Sequence, residues 1–287
     1  MLIRTNKLYP SQYLTCIAIN MVILVVSDVH LGYSQSNVDE FDAFLQTTMD
    51  RTDVDTLVIL GDFIDMWRRD IVGLFLENHQ ILQSLLKLQQ KKTIYYVAGN
   101  HDYHLLRLVN HKYPLEFKKD LTLPGNDVTY VFKHGYEFDS AQWPPVMELL
   151  CDNTTDEVGQ VGSEIWDRLA SAAQTLESIK HLLEILQSTK EKYVQHLLTP
   201  PKVRLSATFG EVEQKAAQSV QDRQLLVFGH THRPFISPTQ NLVNTGSWVK
   251  DEEIYNTYVE LDGKNIRLKR YGRGNITDIT KEMTRTA

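Results

Sequence analysis

The sequence predicts an α/β protein whose chemistry lies at the carboxyl ends of its strands. In the first hundred residues, three apolar runs rich in β-branched and aromatic residues alternate with amphipathic patterns typical of helices. The runs cover residues 21–26, 55–60 and 93–97, and each changes abruptly to polar residues at its end. A β-α-β-α-β start predicts a parallel sheet with its loops at one edge. Open sheets of this kind bind ligands outside those strand ends.

Composition sets the class of protein. A chain of 287 residues is long enough for one large α/β domain with an insertion, or for two small domains. A net charge of −6 gives no general attraction to polyanions and disfavours a general nucleic-acid binder. Cys16 and Cys151 form neither a zinc motif nor a disulfide framework, which favours a reducing, cytoplasmic location.

Residues 1–20 are predicted to be an extension before the folded domain. Basic residues followed by the apolar stretch 13–26 resemble a signal peptide, but the stretch has no good cleavage site. It also leads straight into the first strand, which its removal would destroy. We therefore expect residues 21–287 to form the domain, with Met21 as an alternative start.

Helices are expected to connect the early strands. Asn37 is predicted to cap the first helix, whose apolar face includes Phe41 and Phe44. A second helix is predicted roughly over residues 70–90, and a further helix is expected after the third strand.

The second half of the chain contributes shorter strands. Residues 128–132 and 225–228 are predicted to be buried strands that end in polar residues. The segments 241–244, 255–261 and 266–269 alternate in polarity and carry turn signals, so they predict an antiparallel or mixed second sheet.

Between the predicted strands at 128–132 and 225–228, residues 140–221 are predicted to form a helical insertion. A long helix is predicted after Ser163, and its apolar residues alternate in spacing between four and three, as a two-helix seam requires. These residues are Ile165, Leu169, Ala172, Leu176, Ile179, Leu183 and Leu186. The pattern fits a helix packed on the domain, a substrate lid or a homodimer seam, and the sequence does not decide among them.

Residues that bind metal ions follow five of the predicted strands. They are Asp28, His30, Asp62, Asn100, His101, His134, His230 and His232. We expect residues 28–30 to stay extended, because alternate side chains then point the same way. The set offers nitrogen and oxygen but no thiolate, which suits Mn²⁺, Fe or Zn²⁺ and contains too much imidazole for Ca²⁺ or Mg²⁺. There are enough side chains for two ions, the arrangement that clamps an in-line displacement at phosphorus.

The order of the motifs carries a family resemblance. Asp-x-His at 28–30, Gly-Asp-x-x-Asp at 61–65, Gly-Asn-His-Asp at 99–102, a lone His-Gly at 134–135 and Gly-His-Thr-His at 229–232 follow one another. In this order they resemble the calcineurin-like metallophosphoesterase superfamily. The resemblance implies a four-layered α-β-β-α sandwich with a helical insertion. It also implies two divalent metal ions, with Mn²⁺ favoured and Fe or Zn²⁺ as alternatives.

The resemblance also implies a role for each residue. By this similarity the first ion takes Asp28, His30 and His232, and the second takes Asn100, His134 and His230. Asp62 would bridge the two ions, because a carboxylate offers two oxygens. His101 would be no ligand but would protonate the leaving oxygen or stabilise its charge. Asp65 would orient that histidine.

Within the superfamily, three longer stretches are similar to UDP-2,3-diacylglucosamine hydrolases. They are Gly-Asp-Phe-Ile-Asp-Met-Trp at 61–67, Gly-His-Thr-His-Arg-Pro at 229–234 and Asn-Thr-Gly-Ser-Trp at 244–248. The chain departs from that family at His101, where arginine is typical.

Three arginines near these motifs are candidate contacts for a substrate phosphate, since guanidinium groups bind phosphate in a bidentate manner. They are Arg68, Arg69 and Arg233. For Arg68 and Arg69 the alternative is a solvent-facing position at a helix start. A basic C-terminal stretch is interpreted as an exposed strand face rather than a nucleic-acid patch. It comprises Lys264, Arg267, Lys269, Arg270 and Arg273.

The sequence therefore predicts a metal-dependent phosphoric ester hydrolase. It would cleave a phosphate ester or pyrophosphate bond of a small phosphorylated substrate, such as a nucleotide or nucleotide-sugar, by in-line attack of a metal-bridging hydroxide. A nuclease or cyclic-nucleotide phosphodiesterase on the same fold is the leading alternative. A non-catalytic scaffold is disfavoured, because such relatives usually lose ligands and this chain keeps them all.

Overall fold

The computed structural model describes most of the chain outside its first 21 residues and the predicted insertion. The described residues are 22–109, 111–113, 115–139, 147, 151, 209–250, 252–263 and 265–285. The N-terminal extension and most of the segment 140–221 lie outside them, so the extension and the lid or dimer interpretations stay predictions. Lys264 of the basic stretch also lies outside them.

Twelve strands lie within the described residues and form two sheets. They are β1 (Val22–Val26), β2 (Val54–Leu60), β3 (Thr93–Val97), β4 (Glu116–Lys118), β5 (Leu121–Pro124), β6 (Thr129–Phe132), β7 (Gln224–Phe228), β8 (Phe235–Ile236), β9 (Leu242–Asn244), β10 (Thr257–Asp262), β11 (Asn265–Gly272) and β12 (Asn275–Asp278). The first sheet has the order β12-β11-β10-β1-β2-β3-β4, and the second has the order β5-β6-β7-β9-β8.

Both sheets are mixed. β1, β2, β3 and β4 run parallel, as the alternating start of the sequence predicts, and β10, β11 and β12 extend the sheet in antiparallel pairs. In the second sheet β6, β7 and β9 are parallel, while β5 and β8 are antiparallel edge strands. The carboxyl ends of β1, β2, β3, β6 and β7 therefore carry the loops in which the candidate ligands lie.

One part of the predicted topology is wrong. Residues 255–269 are expected in the second sheet, but β10 pairs with β1 and β11 pairs with β10 in the first. The physical reason is burial: residues 257–261 of β10 are all buried, and a strand buried on both faces needs a central position. Only the segment around β9 joins the second sheet as expected.

Five α-helices lie within the described residues: α1 (Val38–Asp50), α2 (Ile71–Glu77), α3 (His79–Gln89), α4 (Phe209–Ser219) and α5 (Thr280–Met283). The single helix predicted over residues 70–90 is two helices, broken at Asn78. Asp70 starts α2 by accepting hydrogen bonds from the backbone N–H groups of Val72 and Gly73. The helix expected after β3 is a 3₁₀ helix, Tyr103–Leu108.

α1 begins after Asn37 as predicted, but the side chain of Asn37 does not cap it. Its Nδ2 instead donates to Oδ1 of Asn256 over 3.0 Å. The residue therefore ties the loop after β1 to the loop before β10. A buried amide is satisfied as well by this partner as by a helix end.

The apolar residues divide into layers that confirm the predicted four-layered sandwich. In β1, Val22, Leu24 and Val26 face a cluster shared with α1 and α3, while Ile23 and Val25 face the second sheet. This alternation is the two-residue period of a strand. The first sheet is thus covered by helices on one face and by the other sheet on its opposite face.

The second sheet is arranged in the same way. Leu225 and Val227 of β7 face the first sheet, whereas Leu226 and Phe228 face Val212 and its neighbours in α4. The order of layers is therefore helix, sheet, sheet, helix. No helix in the described part of the chain is long and apolar enough to cross a membrane.

A buried carboxylate joins β10 to the adjacent elements. Glu260 is 2% exposed and accepts hydrogen bonds from Arg51 (2.7 Å), Lys269 (2.7 Å) and Arg267 (3.0 Å). Burial disfavours its ionised form, but the hydrogen bonds from Lys269 and Arg51 outweigh burial and lower the pKa of Glu260. The carboxylate is therefore charged in the folded protein and matched by three cations.

We expect Glu260→Gln to lower the free energy of unfolding at pH 7 by about 1–3 kcal/mol, because buried donors lose their acceptor charge. The pKa of Glu260 is lower in the folded state, so its contribution is full above the unfolded value of about 4.3 and is lost as the pH falls below it. Urea denaturation from pH 7 to pH 3 should show the difference between wild type and variant shrinking. The exposed Glu282→Gln is the control, and a difference that stays constant with pH contradicts the assignment.

Candidate metal centre

The loops after β1, β2 and β3 are joined by hydrogen bonds that their backbone N–H groups donate. The N–H of Asp28 donates to the carbonyl of Gly61 (3.1 Å), and the N–H of His30 donates to the carbonyl of Asp62 (2.9 Å). The N–H of His101 donates to Oδ1 of Asp62 over 2.8 Å. The first sheet therefore delivers its candidate ligands as one connected unit.

The backbone at these residues is left-handed. The angle φ is 53° at Asp28 and His30, 51° at Asp62, 65° at His230 and 58° at His232. The expectation that residues 28–30 stay extended is therefore wrong, since the chain turns at each of these positions instead. Asp and His enter this region more readily than most residues, but each such residue costs about 1–2 kcal/mol.

One group of side chains forms at the ends of β1 and β7. Oδ1 of Asp28 lies 3.3 Å from Nε2 of His232 and 3.8 Å from Nε2 of His30. The two Nε2 atoms lie 3.2 Å apart. We name Asp28, His30 and His232 the first cluster, and these are the three residues that the resemblance assigns to the first ion.

A second group lies beside it. Nε2 of His134 is 3.1 Å from Oδ2 of Asp62 and 3.2 Å from Oδ1 of Asn100, and Nδ1 of His230 is 3.1 Å from the same Asn100 oxygen. We name Asn100, His134 and His230, together with Asp62, the second cluster. Oδ2 of Asp62 also lies 3.9 Å from Nε2 of His30, so this carboxylate stands between the two clusters.

Each histidine of the two clusters is held through its outer ring nitrogen. The contacts are His30 Nδ1 to Asp65 Oδ2 at 3.0 Å, His134 Nδ1 to the Leu60 carbonyl at 2.8 Å, His230 Nε2 to Asp139 Oδ2 at 3.4 Å and His232 Nδ1 to Glu252 Oε1 at 3.1 Å. Such acceptors fix the proton on the outer nitrogen and direct the lone pair of the inner nitrogen into the centre.

The donor set fits divalent cations. Oδ1 of Asp28 is buried and has no hydrogen-bond donor among the described residues, although buried carboxylate oxygens are normally satisfied. The inner nitrogens of His30 and His232 would present two lone pairs to each other at 3.2 Å, an arrangement that requires a proton or a cation between them. Only nitrogen and oxygen atoms face the centre, as expected for Mn²⁺, Fe or Zn²⁺.

The pKa values of the protein without metal ions also indicate a site for positive charge. Burial opposes protonation of His134 and His232, but Asp62 and Asp28 outweigh it and raise the pKa of each histidine to about 10. Burial likewise opposes ionisation of Asp28 and Asp62, yet the surrounding histidines hold both pKa values below the usual range. The protein by itself thus stabilises positive charge among these carboxylates.

His101 lies next to the clusters in a different environment. Its Nδ1 is 3.0 Å from Oδ1 of Asp65, and its ring stacks on the indole of Trp67 with centroids 3.9 Å apart. Burial raises the pKa of Asp65, but His101, Arg68 and the hydrogen bond from His30 lower it well below its ordinary value. Asp65 is therefore an anionic acceptor that holds the Nδ1 edge of the His101 imidazole, while Trp67 covers one face of the ring.

His30, Asp65 and His101 also lie close enough to suggest a third group of ligands. The same Asp65 carboxylate, however, accepts hydrogen bonds from the guanidinium (2.7 Å) and backbone N–H (3.0 Å) of Arg68. A carboxylate already paired with a guanidinium is poorly suited to an additional divalent cation. We therefore interpret this group as a hydrogen-bond network behind the two clusters.

The three predicted phosphate contacts are placed differently. Arg68 lies over the ring of Tyr33 at 4.5 Å, and its guanidinium is 3.4 Å from Nδ1 of His101. Arg69 turns to Glu77, with which it forms paired hydrogen bonds of 2.5 and 3.0 Å. Arg233 is exposed and directly follows His232 in the chain. The structure thus places Arg68 beside His101, whereas Arg69 is paired with Glu77.

Asp102 is a buried residue of the centre to which the sequence analysis assigns no role. Its carboxylate accepts hydrogen bonds from the N–H of Gly99 (2.6 Å), the N–H of Phe63 (2.9 Å) and the hydroxyl of Tyr96 (2.6 Å). Burial, helped by the charge of Asp62, raises the pKa of Asp102 to about 6. The residue fastens the loop after β3 to the loop after β2, and its place in the Gly-Asn-His-Asp motif was the available signal.

Other supporting residues carry no such signal. Asp139 follows the His-Gly motif and Glu252 follows the Asn-Thr-Gly-Ser-Trp stretch, but neither belongs to a motif, and each contacts a histidine of the centre. Cys151 is buried, and its thiol lies 3.2 Å from the carbonyl of His101. Burial raises the pKa of Cys151, so it is a neutral donor to that loop.

Two glycines permit close approach to the carboxylates. A Cβ on Gly99 would meet the carboxylate and backbone nitrogen of Asp62, and a Cβ on Gly229 would meet Ser27 and the carboxylate of Asp28. Any other residue at either position would displace a candidate ligand. Gly99 and Gly229 are therefore required because there is no space for a side chain.

Comparison with known proteins gives a family match. A family model described as calcineurin-like phosphoesterase matches residues 21–234. A UDP-2,3-diacylglucosamine hydrolase of Shewanella baltica (strain OS155 / ATCC BAA-1091) is 24% identical over 258 residues, which cover 86% of this chain and 97% of that protein. Another from Shewanella sp. (strain MR-7) is 31% identical over 257 residues, with the same shares. Among solved structures, a dimetal phosphatase from Danio rerio aligns with 91% of this chain and 99% of its own, at 13% identity and a TM-score of 0.46.

Proposed function

The chain belongs to the calcineurin-like phosphoesterase family, and from that premise we propose that it hydrolyses a phosphate ester or pyrophosphate bond with two divalent metal ions. The observation that carries this proposal is the pair of clusters with Asp62 between them and an unsatisfied Asp28 oxygen facing the histidines. Isolated structural histidines would not require such an arrangement.

The two clusters divide the ligands between the ions. Asp28, His30 and His232 would hold the first ion and Asn100, His134 and His230 the second, with Asp62 shared. Mn²⁺ is favoured by the mixture of imidazole and oxygen donors, with Fe or Zn²⁺ as alternatives. When bound, two such ions activate water and neutralise charge at the phosphoryl group.

His101 is the proposed general acid. Asp65 accepts from its Nδ1 and Trp67 packs against its ring, so the imidazole is fixed in position and tautomer. Nδ1 keeps the proton that it donates to Asp65, so His101 can act as the acid only as the imidazolium, in which Nε2 carries a second proton. Nε2 makes no hydrogen bond to the described residues, and in that form it would give its proton to the leaving oxygen. Arg68, beside His101, would contact a substrate phosphate, as would Arg233. Because Arg69 is paired with Glu77, we do not retain it as a phosphate contact.

The relatives indicate a substrate class. They are named for UDP-2,3-diacylglucosamine, so a nucleotide-sugar with a pyrophosphate bond is the first candidate. His101 stands where those enzymes typically have arginine, so simple phosphate monoesters and diesters belong in the same test. Nucleic acids and cyclic nucleotides in that panel examine the nuclease and cyclic-nucleotide alternatives.

The proposal is tested by metal loading and turnover of Asp62→Asn. Wild type supplied with Mn²⁺ should bind two equivalents and hydrolyse at least one member of the panel. The variant should keep its circular dichroism spectrum, bind fewer ions and lose about 10²–10³-fold or more in turnover, because a shared carboxylate no longer holds both ions. Two full equivalents with normal turnover in Asp62→Asn would end the bridging assignment, and no hydrolysis by wild type would end the proposed function.

His101→Ala separates acid catalysis from metal binding. We expect both ions to remain and turnover to fall by about 10²–10⁴-fold. The loss should be largest for alkyl esters and smallest for aryl esters, whose leaving groups need little protonation. The exposed His111→Ala is the matched control. Loss of an ion would make His101 a ligand, and equal losses for both ester types would make its role electrostatic.

Arg68 and Arg69 form a natural comparison, because they are adjacent and identical in type. Arg68→Ala should raise KM for phosphate substrates by about 10-fold or more, the effect of losing a charge-assisted hydrogen bond. Arg69→Ala should leave KM unchanged, since its guanidinium is bound to Glu77. Steady-state kinetics on both variants decides the matter, and similar KM values for the two would remove Arg68 from substrate binding.

A further inference from the structure

Glu252 lies outside the sequence motifs and contacts a histidine of the first cluster. Its Oε1 lies 3.1 Å from Nδ1 of His232. The loop that carries it is fixed, because Val249 pairs with Ser36 in a β-bridge and the N–H of Lys250 donates to the carbonyl of Gln35 over 2.8 Å. Glu252 is therefore anchored to the same loop that follows Asp28 and His30.

The contact has a direct consequence for His232. An acceptor at Nδ1 keeps the proton there, so that Nε2 presents its lone pair toward Asp28, 3.3 Å away. A carboxylate acceptor also adds a full negative charge behind the ring, which a backbone carbonyl does not. Both effects make the imidazole a better ligand for a cation.

The two clusters differ in this respect. In the first cluster both histidines have a carboxylate behind them at about the same distance, Asp65 at 3.0 Å and Glu252 at 3.1 Å. In the second cluster His134 is backed by the neutral carbonyl of Leu60, and His230 has Asp139 at the longer distance of 3.4 Å. The second cluster also uses the neutral amide of Asn100 where the first has the charged Asp28, while Asp62 stands between the two. Arg68 offsets the charge of Asp65, so the charges of Asp28 and Glu252 in the first cluster stand against that of Asp139 in the second. The first cluster is thus the more negative of the two.

We propose that Glu252 is a positioning residue that sets the affinity of the Asp28–His30–His232 cluster for its ion, and that this cluster fills before the other. The inference rests on the proposed metal centre and extends it with an order of loading and a residue that controls it. Removing a carboxylate behind a histidine ligand lowers metal affinity by about 10–100-fold. Glu252→Gln should therefore weaken the tighter of two binding events by that factor and leave the weaker one unchanged.

The chain offers a matched control in Glu253. It is adjacent to Glu252, has the same side chain and is exposed, so Glu253→Gln removes the same charge without the contact to His232. Glu252 itself lies at the surface, with 36% of its side chain exposed, so Glu252→Gln should lower the unfolding midpoint of the metal-free protein only slightly. A merely structural role would lower that midpoint and leave the metal affinity of the folded protein unchanged.

The experiment is calorimetric titration of the metal-free full chain with Mn²⁺ for wild type and the two glutamine variants. His230→Ala, which lacks a ligand of the second cluster, identifies the event that belongs to that cluster. Titration with Co²⁺, followed by its visible absorption, gives a second readout of the imidazole environment and needs no substrate.

We expect Glu252→Gln to bind more weakly the ion that His230→Ala still binds with wild-type affinity. Glu253→Gln should bind both ions as wild type does. Two ions bound equally well by wild type and Glu252→Gln overturn the inference and leave the proposed function intact. An effect confined to the weaker event, or equal effects of the two glutamine variants, also overturns it. Absence of metal binding by wild type overturns the proposed function together with the inference.

Discussion

The centre depends on the contact between the end of β1 and the end of β7, which belong to different sheets. The N–H of His230 donates to Oδ2 of Asp28 over 3.0 Å, and Oδ1 of the same carboxylate faces His232. The carbonyl of Asp28 accepts from the N–H of Trp248 over 3.0 Å. These bonds join the sheets directly beneath the clusters, and the apolar layer between the sheets excludes water around them. Residues 28, 62, 100, 134, 230 and 232 meet only because this junction is made, so the site is a property of the assembled sandwich rather than of either sheet.

Several buried carboxylates lie close together at this junction, and neighbouring groups must offset the cost of burying their charge. Asp28, Asp62 and Asp65 are at most 2% exposed, and a buried carboxylate without partners is strongly unfavourable. The compensation is local: imidazoles surround Asp28 and Asp62, and a guanidinium pairs with Asp65. Asp102 differs from these residues, because its three hydrogen-bond donors are neutral and its pKa is raised to about 6. The arrangement separates carboxylates that face the candidate ions from one that holds the loops together.

The sequence shows the centre more openly than it shows the support around it. Buried strands that end in Asp, Asn and His are conspicuous, and parallel strands bring their ends to one edge, so the meeting of these side chains was predictable. The contact of Glu252 with His232 was not predictable, because Glu252 belongs to none of the motifs and its loop is positioned by contacts with residues 35 and 36. The pairing of β10 with β1 was not predictable either. The alternation of polar and apolar residues shows which face of a strand is buried, but it does not show which strand lies beside it. Arg68 and Arg69 look alike in the sequence, and only the structure shows that Arg68 contacts Asp65 while Arg69 contacts Glu77.

The left-handed backbone at Asp28, His30, Asp62, His230 and His232 has an evolutionary consequence. These residues destabilise the fold in two ways, by backbone strain and by buried charge, although the carboxylate of Asp28 also joins the two sheets. Selection for stability alone would exchange them for glycine and apolar side chains, and the sandwich would become more stable as it lost the clusters. Variants without these side chains are therefore favoured by stability, so the intact set has to be maintained against that drift.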